Sequence, residues 1–148
     1  ENSIAGKRLQ RIAKTSGFKM TVSLLAISHN RIGDEIIESA RCIFSDAPIN
    51  MESLSIPANL KPDDLGAYAD QVRNKLTDLK NDDGILVLTD LFGATPDNLA
   101  RYFAQDHNAK VVSGLSLPML VCLLNNRLKS LTELSIMAIQ ANRRGTQN

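Results

Sequence analysis

The chain has 148 residues, of which 43% are hydrophobic and 22% charged, with a formal net charge of +1 at pH 7. This length favours one domain with a single core. No apolar stretch approaches the roughly 20 residues that span a bilayer, so we expect no membrane insertion. With 4% aromatic residues and no basic, aromatic-interleaved face, the sequence offers no support for nucleic-acid binding.

The basic residues are concentrated at the start of the chain. Residues 1–19 contain five lysines and arginines against one acid, Glu1. Such a segment is typical of a nucleic-acid-binding tail or a transit peptide, but Met20 follows it directly. We therefore expect residues 1–19 to be a disordered or loosely helical extension from an alternative start or from cloning, and residues 20–148 to form the domain.

The first predicted strand ends in a histidine. Residues 21–27 form an apolar run that stops at Ser28 and His29, which is typical of a strand covered on both faces. Apolar residues then recur at helical spacing over about residues 31–45 and predict an amphipathic helix. An imidazole is thus expected at the tip of a buried strand.

The next segment predicts an edge strand and a second helix. Residues 46–48 include a proline and end the first helix. Polar and apolar residues alternate in Met51–Ile56, which is typical of a short strand at the sheet edge. Residues 61–64 combine a proline with acids of a first turn and predict a helix that runs to about Lys80.

The third apolar run delivers an acid to the tip of a strand. Residues 85–88 predict a buried strand that ends shortly before Asp90. Gly93 permits a tight turn, Thr95 is a good N-cap, and Pro96 fits the first helical position. The carboxylate is therefore expected beside a helix N-terminus, where free N–H groups favour anions.

The last part of the chain repeats the pattern. Residues 109–114 predict a fourth strand, residues 118–127 a short apolar helix, and Ser130 or Thr132 can cap a final helix. Strands that alternate with helices predict an α/β sandwich of three layers, with a mainly parallel four-stranded sheet and helices on both faces. We expect the strand order 2-1-3-4.

In an open parallel sheet, the ligand crevice lies at the carboxyl ends of the strands, where the strand order reverses. The first and third strands usually flank that point, so we expect His29 and Asp90 to meet there. Such a pair permits general-base catalysis, metal binding or nucleophilic attack by the imidazole.

The sequence discriminates among these chemistries. It lacks a G-x-S-x-G nucleophile elbow, and its two histidines and the spacing of its cysteines and acids supply no third zinc ligand. No G-x-G-x-x-G or Walker-type loop follows the first strand. We therefore favour an imidazole that carries a phosphoryl group, with no metal or other cofactor. Cys42 and Cys122 have no redox spacing, and we predict both as reduced core residues.

Three motifs carry a resemblance to a known family. They are Ser28-His29, residues 90–98 (Asp-Leu-Phe-Gly-Ala-Thr-Pro-Asp-Asn) and residues 114–120 (Gly-Leu-Ser-Leu-Pro-Met-Leu). Over about residues 20–140 the chain resembles the IIA component of the mannose-type sugar phosphotransferase system. The resemblance implies a cytoplasmic homodimer in phosphoenolpyruvate-dependent sugar uptake.

The same resemblance implies roles for individual residues. His29 would accept a phosphoryl group from the phosphorylated histidine carrier protein and pass it to a IIB component. Asp90 would orient the imidazole ring. The phosphate pocket would be lined by Gly93, Ala94, Thr95 and Ser116.

The sequence departs from the usual pattern of the family in three places. Asn30 replaces a common glycine, but asparagine tolerates left-handed backbone angles. Phe92 replaces a common tryptophan, and residues 93–96 replace a Gly-Gly-Ser-Pro run. Two alternatives remain open, namely a regulatory module that reports phosphorylation state and a phosphotransfer subunit serving dihydroxyacetone kinase. Pro96 and Asn98 fit the mannose type better than the kinase subunit.

The expected homodimer also has a basis in the sequence. The fourth strand's exit loop and the helix after it are richer in apolar residues than one small domain is expected to bury, and an unburied apolar patch marks an interface. The residues concerned are Leu115, Leu117, Met119, Leu120, Val121, Leu123, Leu124, Leu128 and Leu131.

Overall fold

The computed structural model describes residues 20–45 and 50–148. The expected extension at residues 1–19 and the helix break at residues 46–48 lie outside the described residues. None of the described helices is long and apolar enough to cross a bilayer.

The described strands form one parallel sheet in the predicted order, β2-β1-β3-β4. β2 lies at an edge, as the alternation of its residues indicated, whereas β1 and β3 are central. The central strands are buried along nearly their whole length, because helices cover both faces of the sheet. The strands are β1 (Ser23–His29), β2 (Met51–Ile56), β3 (Ile85–Thr89) and β4 (Ala109–Ser113).

Helices cover both faces of the sheet, so the predicted three-layer arrangement is confirmed. α1, α4 and α5 pack against one face, and α2 and α3 against the other. Successive residues of β1 and β3 alternate between the two core clusters, as the pleat requires. The helices are α1 (Ile32–Ile43), α2 (Leu65–Leu79), α3 (Thr95–Ala104), α4 (Leu117–Asn125) and α5 (Leu131–Gly145), with a short 3-10 helix at Pro62–Asp64 before α2.

The apolar residues between 115 and 131 do not form the exposed patch on which we based the homodimer. Met119, Leu120 and Leu123 are at most 1% exposed, and α5 covers this region within the same subunit through residues such as Leu134. Of the nine residues, only Leu128 is more than half exposed. The premise of an uncovered surface is therefore wrong, and the homodimer itself stays a prediction.

The two cysteines occupy different environments. Cys42 is exposed, so its predicted core position is wrong. α1 turns Gly33, Ile37 and Ala40 toward the sheet, and a residue five positions after Ile37 falls on the opposite side of the helix. Cys122 is half-buried, and both thiols are free.

Candidate functional site

His29 and Asp90 lie at the carboxyl ends of the neighbouring strands β1 and β3. The strand register pairs Ile27 with Thr89, which brings the residues that follow to the same edge of the sheet. Nδ1 of the His29 ring lies 2.8 Å from Oδ2 of Asp90, and the backbone N–H of His29 donates to the same oxygen at 3.0 Å. The structure thus brings together the two residues that the sequence singled out.

The carboxylate of Asp90 determines which ring nitrogen carries the proton. Its Oδ1 accepts the N–H of Leu91 at 3.0 Å, and an ionised carboxylate offers only acceptors. We therefore assign the proton of the neutral ring to Nδ1 of His29, which leaves the lone pair on Nε2. Nε2 has no hydrogen-bond partner among the described residues, and the side chain is 25% exposed. The imidazole is held on one side and open on the other.

The turn after His29 is tightly built. Asn30 has a φ of 47°, and its backbone N–H donates to the carbonyl of Ile56 at 2.8 Å. Its side-chain Oδ1 accepts the N–H of Ala58 at 3.0 Å. Asparagine accommodates this left-handed angle, as expected from the sequence. The turn therefore ties the end of β1 to the segment that follows β2.

Ser28 holds the start of α1 next to the histidine. Its buried Oγ accepts the N–H of Gly33 at 2.8 Å. A Cβ atom on Gly33 would lie 3.0 Å from this oxygen and 3.2 Å from Cβ of Ala26, so the helix packs directly on the strand. Ser28, which entered the sequence prediction only as part of a motif, fixes the first turn of α1.

Asp97 organises the loop that carries Asp90. Its side chain is 0% exposed, and its Oδ1 accepts the hydroxyl of Thr89 at 2.6 Å. Its Oδ2 accepts the N–H of Gly93 at 3.0 Å and Nε of Arg101 at 2.8 Å. This residue was not among those predicted from the sequence, although an acid two positions after the start of a predicted helix was a visible signal.

The partners of Asp97 keep it ionised. Burial acts to raise the pKa of its carboxyl, but hydrogen bonds from Arg101, Thr89 and Gly93, together with the charge of Arg101, outweigh that effect. The net result is a pKa below the ordinary range for aspartate. The buried carboxylate is therefore a stable anion at neutral pH.

The residues expected to line a phosphate pocket differ in what they can offer. The N–H of Gly93 is used by Asp97, and that of Ala94 donates to the carbonyl of Leu91 at 3.3 Å. Thr95 is the first residue of α3 rather than its N-cap, so that prediction is wrong: Ala94 holds the cap position. The hydroxyl of Thr95 makes no hydrogen bond within the described residues, and it is the free hydroxyl of this group.

Ser116 is engaged in a different task. Its hydroxyl donates to Oδ1 of Asn142 at 2.6 Å, and its oxygen accepts the N–H of Met119 at 3.2 Å as the N-cap of α4. Asn142 also donates to the carbonyl of Gly114 at 2.7 Å. The Ser116 hydroxyl proton is therefore used in a hydrogen bond to α5. No pattern in the sequence indicated this bond.

Exposed apolar side chains follow the site residues in the chain. Leu91 and Phe92, which come directly after Asp90, are 60% and 72% exposed, and Ile32 at the start of α1 is 45% exposed. Cζ of Arg101 lies 5.2 Å from the centroid of the Phe92 ring, within the range of a cation–π contact. In residues 20–45 and 50–148, no three His, Cys, Asp or Glu side chains converge as metal ligands would.

Comparison with known proteins identifies the family. The family model for the PTS system fructose IIA component, EIIA-man, matches residues 23–140. The chain belongs to this family. The match starts at β1 and reaches into α5, so it includes the histidine, the acid and both helix-capping loops described above. The resemblance inferred from the three motifs is thereby confirmed.

Solved structures of IIA proteins share the fold over most of the chain. The mannose/sorbose specific IIA subunit from Enterococcus faecalis has 26% identity and a TM-score of 0.71, with 87% of this chain and 95% of that chain covered. Component EIIA from Streptococcus agalactiae has 24% identity and a TM-score of 0.70, with 86% and 97% covered. A PTS IIA protein associated with the fucose utilization operon from Streptococcus pneumoniae has 20% identity and a TM-score of 0.70, with 88% and 95% covered. The latter two likenesses show the fold alone.

Proposed function

We propose that the chain is a phosphocarrier in which Nε2 of His29 accepts a phosphoryl group and passes it on. Membership of the IIA family supports phosphotransfer as the general role. The observation that carries the assignment of the residue is the 2.8 Å contact between Nδ1 and Asp90. It leaves Nε2 unprotonated and without a hydrogen-bond partner in the described part of the chain. A partly exposed imidazole can meet a second protein, whereas a fully buried one cannot.

The proposed step conserves atoms and protons. The Nε2 lone pair attacks the phosphorus of a phosphohistidine on the donor, a new N–P bond forms, and the N–P bond of the donor breaks. The donor imidazole leaves with the electron pair of that bond, while Nδ1 of His29 keeps its proton. The phosphorylated ring is then cationic, and the carboxylate of Asp90 stabilises it through a charge-assisted hydrogen bond.

Among the residues expected at the phosphate, we propose Thr95 as the group that contacts the phosphoryl oxygens. Its hydroxyl has no competing partner in the described part of the chain, and it begins α3, where N–H groups lack partners within the helix. Gly93 and Ala94 shape the loop in front of α3, because their N–H groups are already used. Ser116 caps α4, and its hydroxyl proton is already used by Asn142.

The donor we propose is the phosphorylated histidine carrier protein, and the acceptor is a IIB component, in the cytoplasm. Exposed Leu91 and Phe92 supply apolar surface beside the site, as transfer between two proteins requires. One relative is described as mannose/sorbose specific and another as associated with fucose utilization. Both names refer to a sugar, which agrees with the proposed role in sugar uptake.

We retain a homodimer in this proposal on a changed basis. Ile136 and Ile139 lie three residues apart on α5 and are 51% and 53% exposed, so one face of that helix could pack against a second copy. Light scattering at micromolar concentration should give twice the mass of the chain. A monomer under these conditions contradicts the dimer without affecting the phosphocarrier.

Phosphorylation mapping tests the proposed function. The protein is incubated with phosphoenolpyruvate, enzyme I and the histidine carrier protein, and acid-labile phosphate is mapped by mass spectrometry. We expect label on His29, its loss in His29→Ala, and its retention in His107→Ala, which is a matched control because the chain has two histidines. Label on His107, or undiminished label in His29→Ala, would overturn the proposal. Onward transfer to a IIB component distinguishes a transport role from a purely regulatory one.

A further inference from the structure

The loop that carries Asp90 is held from both sides by one buried carboxylate. Thr89, the residue before Asp90, donates its hydroxyl to Oδ1 of Asp97 at 2.6 Å. Gly93, three residues after Asp90, donates its N–H to Oδ2 at 3.0 Å. Asp97 therefore connects the end of β3 and the start of α3 across the segment that contains the partner of His29.

The geometry points to Asp97 as a positioning residue for phosphoryl transfer, an inference that rests on the proposed function. Asp97 makes no hydrogen bond or ion pair with His29 or Asp90, so we class it as a positioning residue and not as a catalytic one. It sets where the Asp90 carboxylate lies relative to the ring, because it fixes the backbone on both sides of Asp90. A misplacement of about 1 Å in such an arrangement can slow a reaction by as much as about a hundredfold.

The arrangement requires an ionised carboxylate and not merely a side chain of similar shape. The two oxygens accept three hydrogen bonds, from Thr89, Gly93 and Arg101, and the side chain is 0% exposed. An asparagine amide has one acceptor oxygen and an NH₂ group that can only donate. If its NH₂ faces Gly93 and Arg101, Asp97→Asn loses both of those bonds. If its NH₂ faces Thr89, it can only donate to the hydroxyl oxygen, so the buried Thr89 hydroxyl proton loses Asp97 as its acceptor. Either orientation removes the negative charge that pairs with Arg101.

Arg101 extends the same connection to the surface. It donates to Asp97 while its guanidinium lies 5.2 Å from the ring centroid of the 72% exposed Phe92. Thr89→Val removes only the hydroxyl bond and keeps the shape and the charge pair, so it isolates the link to β3. Arg101→Met removes the cation and keeps the bonds of Asp97 to Thr89 and Gly93. The pair of variants separates the loop contacts from the surface contact.

A control must lose a similar carboxylate elsewhere. Asp34, in the first turn of α1, accepts hydroxyl bonds from Ser53 and from Ser55, the latter at 3.1 Å, at the β2 edge of the sheet. Asp34→Asn thus disturbs a half-buried, serine-bonded carboxylate that does not belong to the Asp90 loop. It measures what a general loss of stability does to transfer.

The experiment combines transfer kinetics with NMR of the ring. The rate of transfer from the phosphorylated carrier protein is measured as a function of carrier concentration, and nitrogen-15 shifts of His29 report its tautomer. For Asp97→Asn we expect kcat to fall about tenfold, with KM within about twofold, and the Nδ1–H tautomer to lose population. Thr89→Val should change both readouts in the same direction by less, and Asp34→Asn should change neither.

The outcomes separate this inference from the proposed function. If the wild-type chain takes no phosphate on His29, the proposed function fails. If the wild type is phosphorylated and folded Asp97→Asn keeps the wild-type kcat and tautomer, only the positioning role is wrong. Should Asp97→Asn not fold, Thr89→Val decides, and wild-type kcat and tautomer in that variant would overturn the inference.

Discussion

A single oxygen of Asp90, Oδ2, receives both the backbone N–H of His29 at 3.0 Å and Nδ1 of its ring at 2.8 Å. Both the main chain and the side chain of the histidine are therefore hydrogen-bonded to the same atom. Rotation of the ring away from this position would break the Nδ1 contact while the backbone bond keeps the carboxylate in place. The orientation of the imidazole is set before any partner arrives.

Replacement of Asp90 by asparagine should damage transfer more than folding. The amide of Asp90→Asn can donate to Nδ1, which would favour the tautomer with the proton on Nε2 and remove the lone pair that attacks. We expect the transfer rate to fall on the order of a hundredfold or more, by analogy with the cost of a wrong histidine tautomer. Rapid-quench measurement of phosphate on His29 gives the rate, and circular dichroism checks the fold. Transfer at the wild-type rate would rule out this role for the carboxylate.

Thr95 and Ser116 should respond in opposite ways to loss of the hydroxyl. Thr95→Val should slow transfer about tenfold or more and leave stability nearly unchanged, because its hydroxyl has no partner in the described residues. Ser116→Ala should leave transfer within about twofold and lower the free energy of unfolding by about 1 kcal/mol, since it loses the cap of α4. Quench-flow and urea titration of both variants provide the comparison, and the reverse pattern would assign the phosphate to Ser116.

The contribution of Asp97 to stability should depend on pH with a definite sign. The pKa of Asp97 is lowered in the folded chain, so its stabilising effect is complete above the ordinary aspartate pKa of about 4. It is lost as the pH falls through the lower folded-state value. At pH 7 we expect the free energy of unfolding of Asp97→Asn to be about 2 kcal/mol lower than that of the wild type. This difference should shrink below about pH 4. Urea titrations between pH 7 and 3 test this, and a gap that widens in acid would contradict it.

Two glycines should give opposite results when changed to alanine. Gly33→Ala places a Cβ atom 3.0 Å from Oγ of Ser28 and 3.2 Å from Cβ of Ala26, so α1 must move off β1. We expect a loss of about 1 to 3 kcal/mol. Gly66, near the start of α2, has no atom within 4 Å of the position that an added Cβ would occupy, and Gly66→Ala should be neutral or stabilising by up to about 1 kcal/mol. Thermal unfolding of the two variants measures the contrast, and equal melting temperatures would contradict the tight packing at Gly33.

Phe92 should matter for the encounter with the phosphoryl donor. It is 72% exposed and follows Asp90 by two residues, so we expect it to contact a donor that reaches His29. Phe92→Ala should raise KM for the phosphorylated carrier protein several-fold with kcat nearly unchanged, the pattern of lost uniform binding. Tyr102→Ala is a matched control, because Tyr102 is 69% exposed but lies toward the end of α3. An equal rise of KM in both variants would argue against a specific contact at Phe92.

The fold and the pairing of His29 with Asp90 could be predicted because they depend on local patterns with few alternatives. Continuous apolar runs predict central parallel strands, and residues at the carboxyl ends of two adjacent strands meet at one edge. Gly93 and Asn30 adopt the positive φ angles for which their residue types are suited, at 80° and 47°.

Features that depend on tertiary packing could not be predicted in this way. No role was assigned to Asp97 from the sequence, because its three hydrogen-bond donors come from separate positions along the chain. The hydroxyl of Ser116 donates a hydrogen bond to Asn142, which is 26 residues away. The apolar residues of α4 looked unpaired because composition does not reveal that α5 folds back over them. Cys42 is exposed because it lies on the side of α1 that faces away from the sheet. The apolar residues around it in the sequence suggested a core position instead.

The bond between His29 and Asp90 spans 61 residues of sequence, and this separation affects when the site can form. The intervening chain includes α1, β2 and α2, and β3 must dock beside β1 before the carboxylate reaches the ring. Loop closure over such a distance is slow relative to local helix formation. We therefore expect His29 to become able to accept a phosphoryl group late in refolding, when β3 pairs with β1. If the proposed function holds, a chain emerging from the ribosome would not accept a phosphoryl group until synthesis has passed β3.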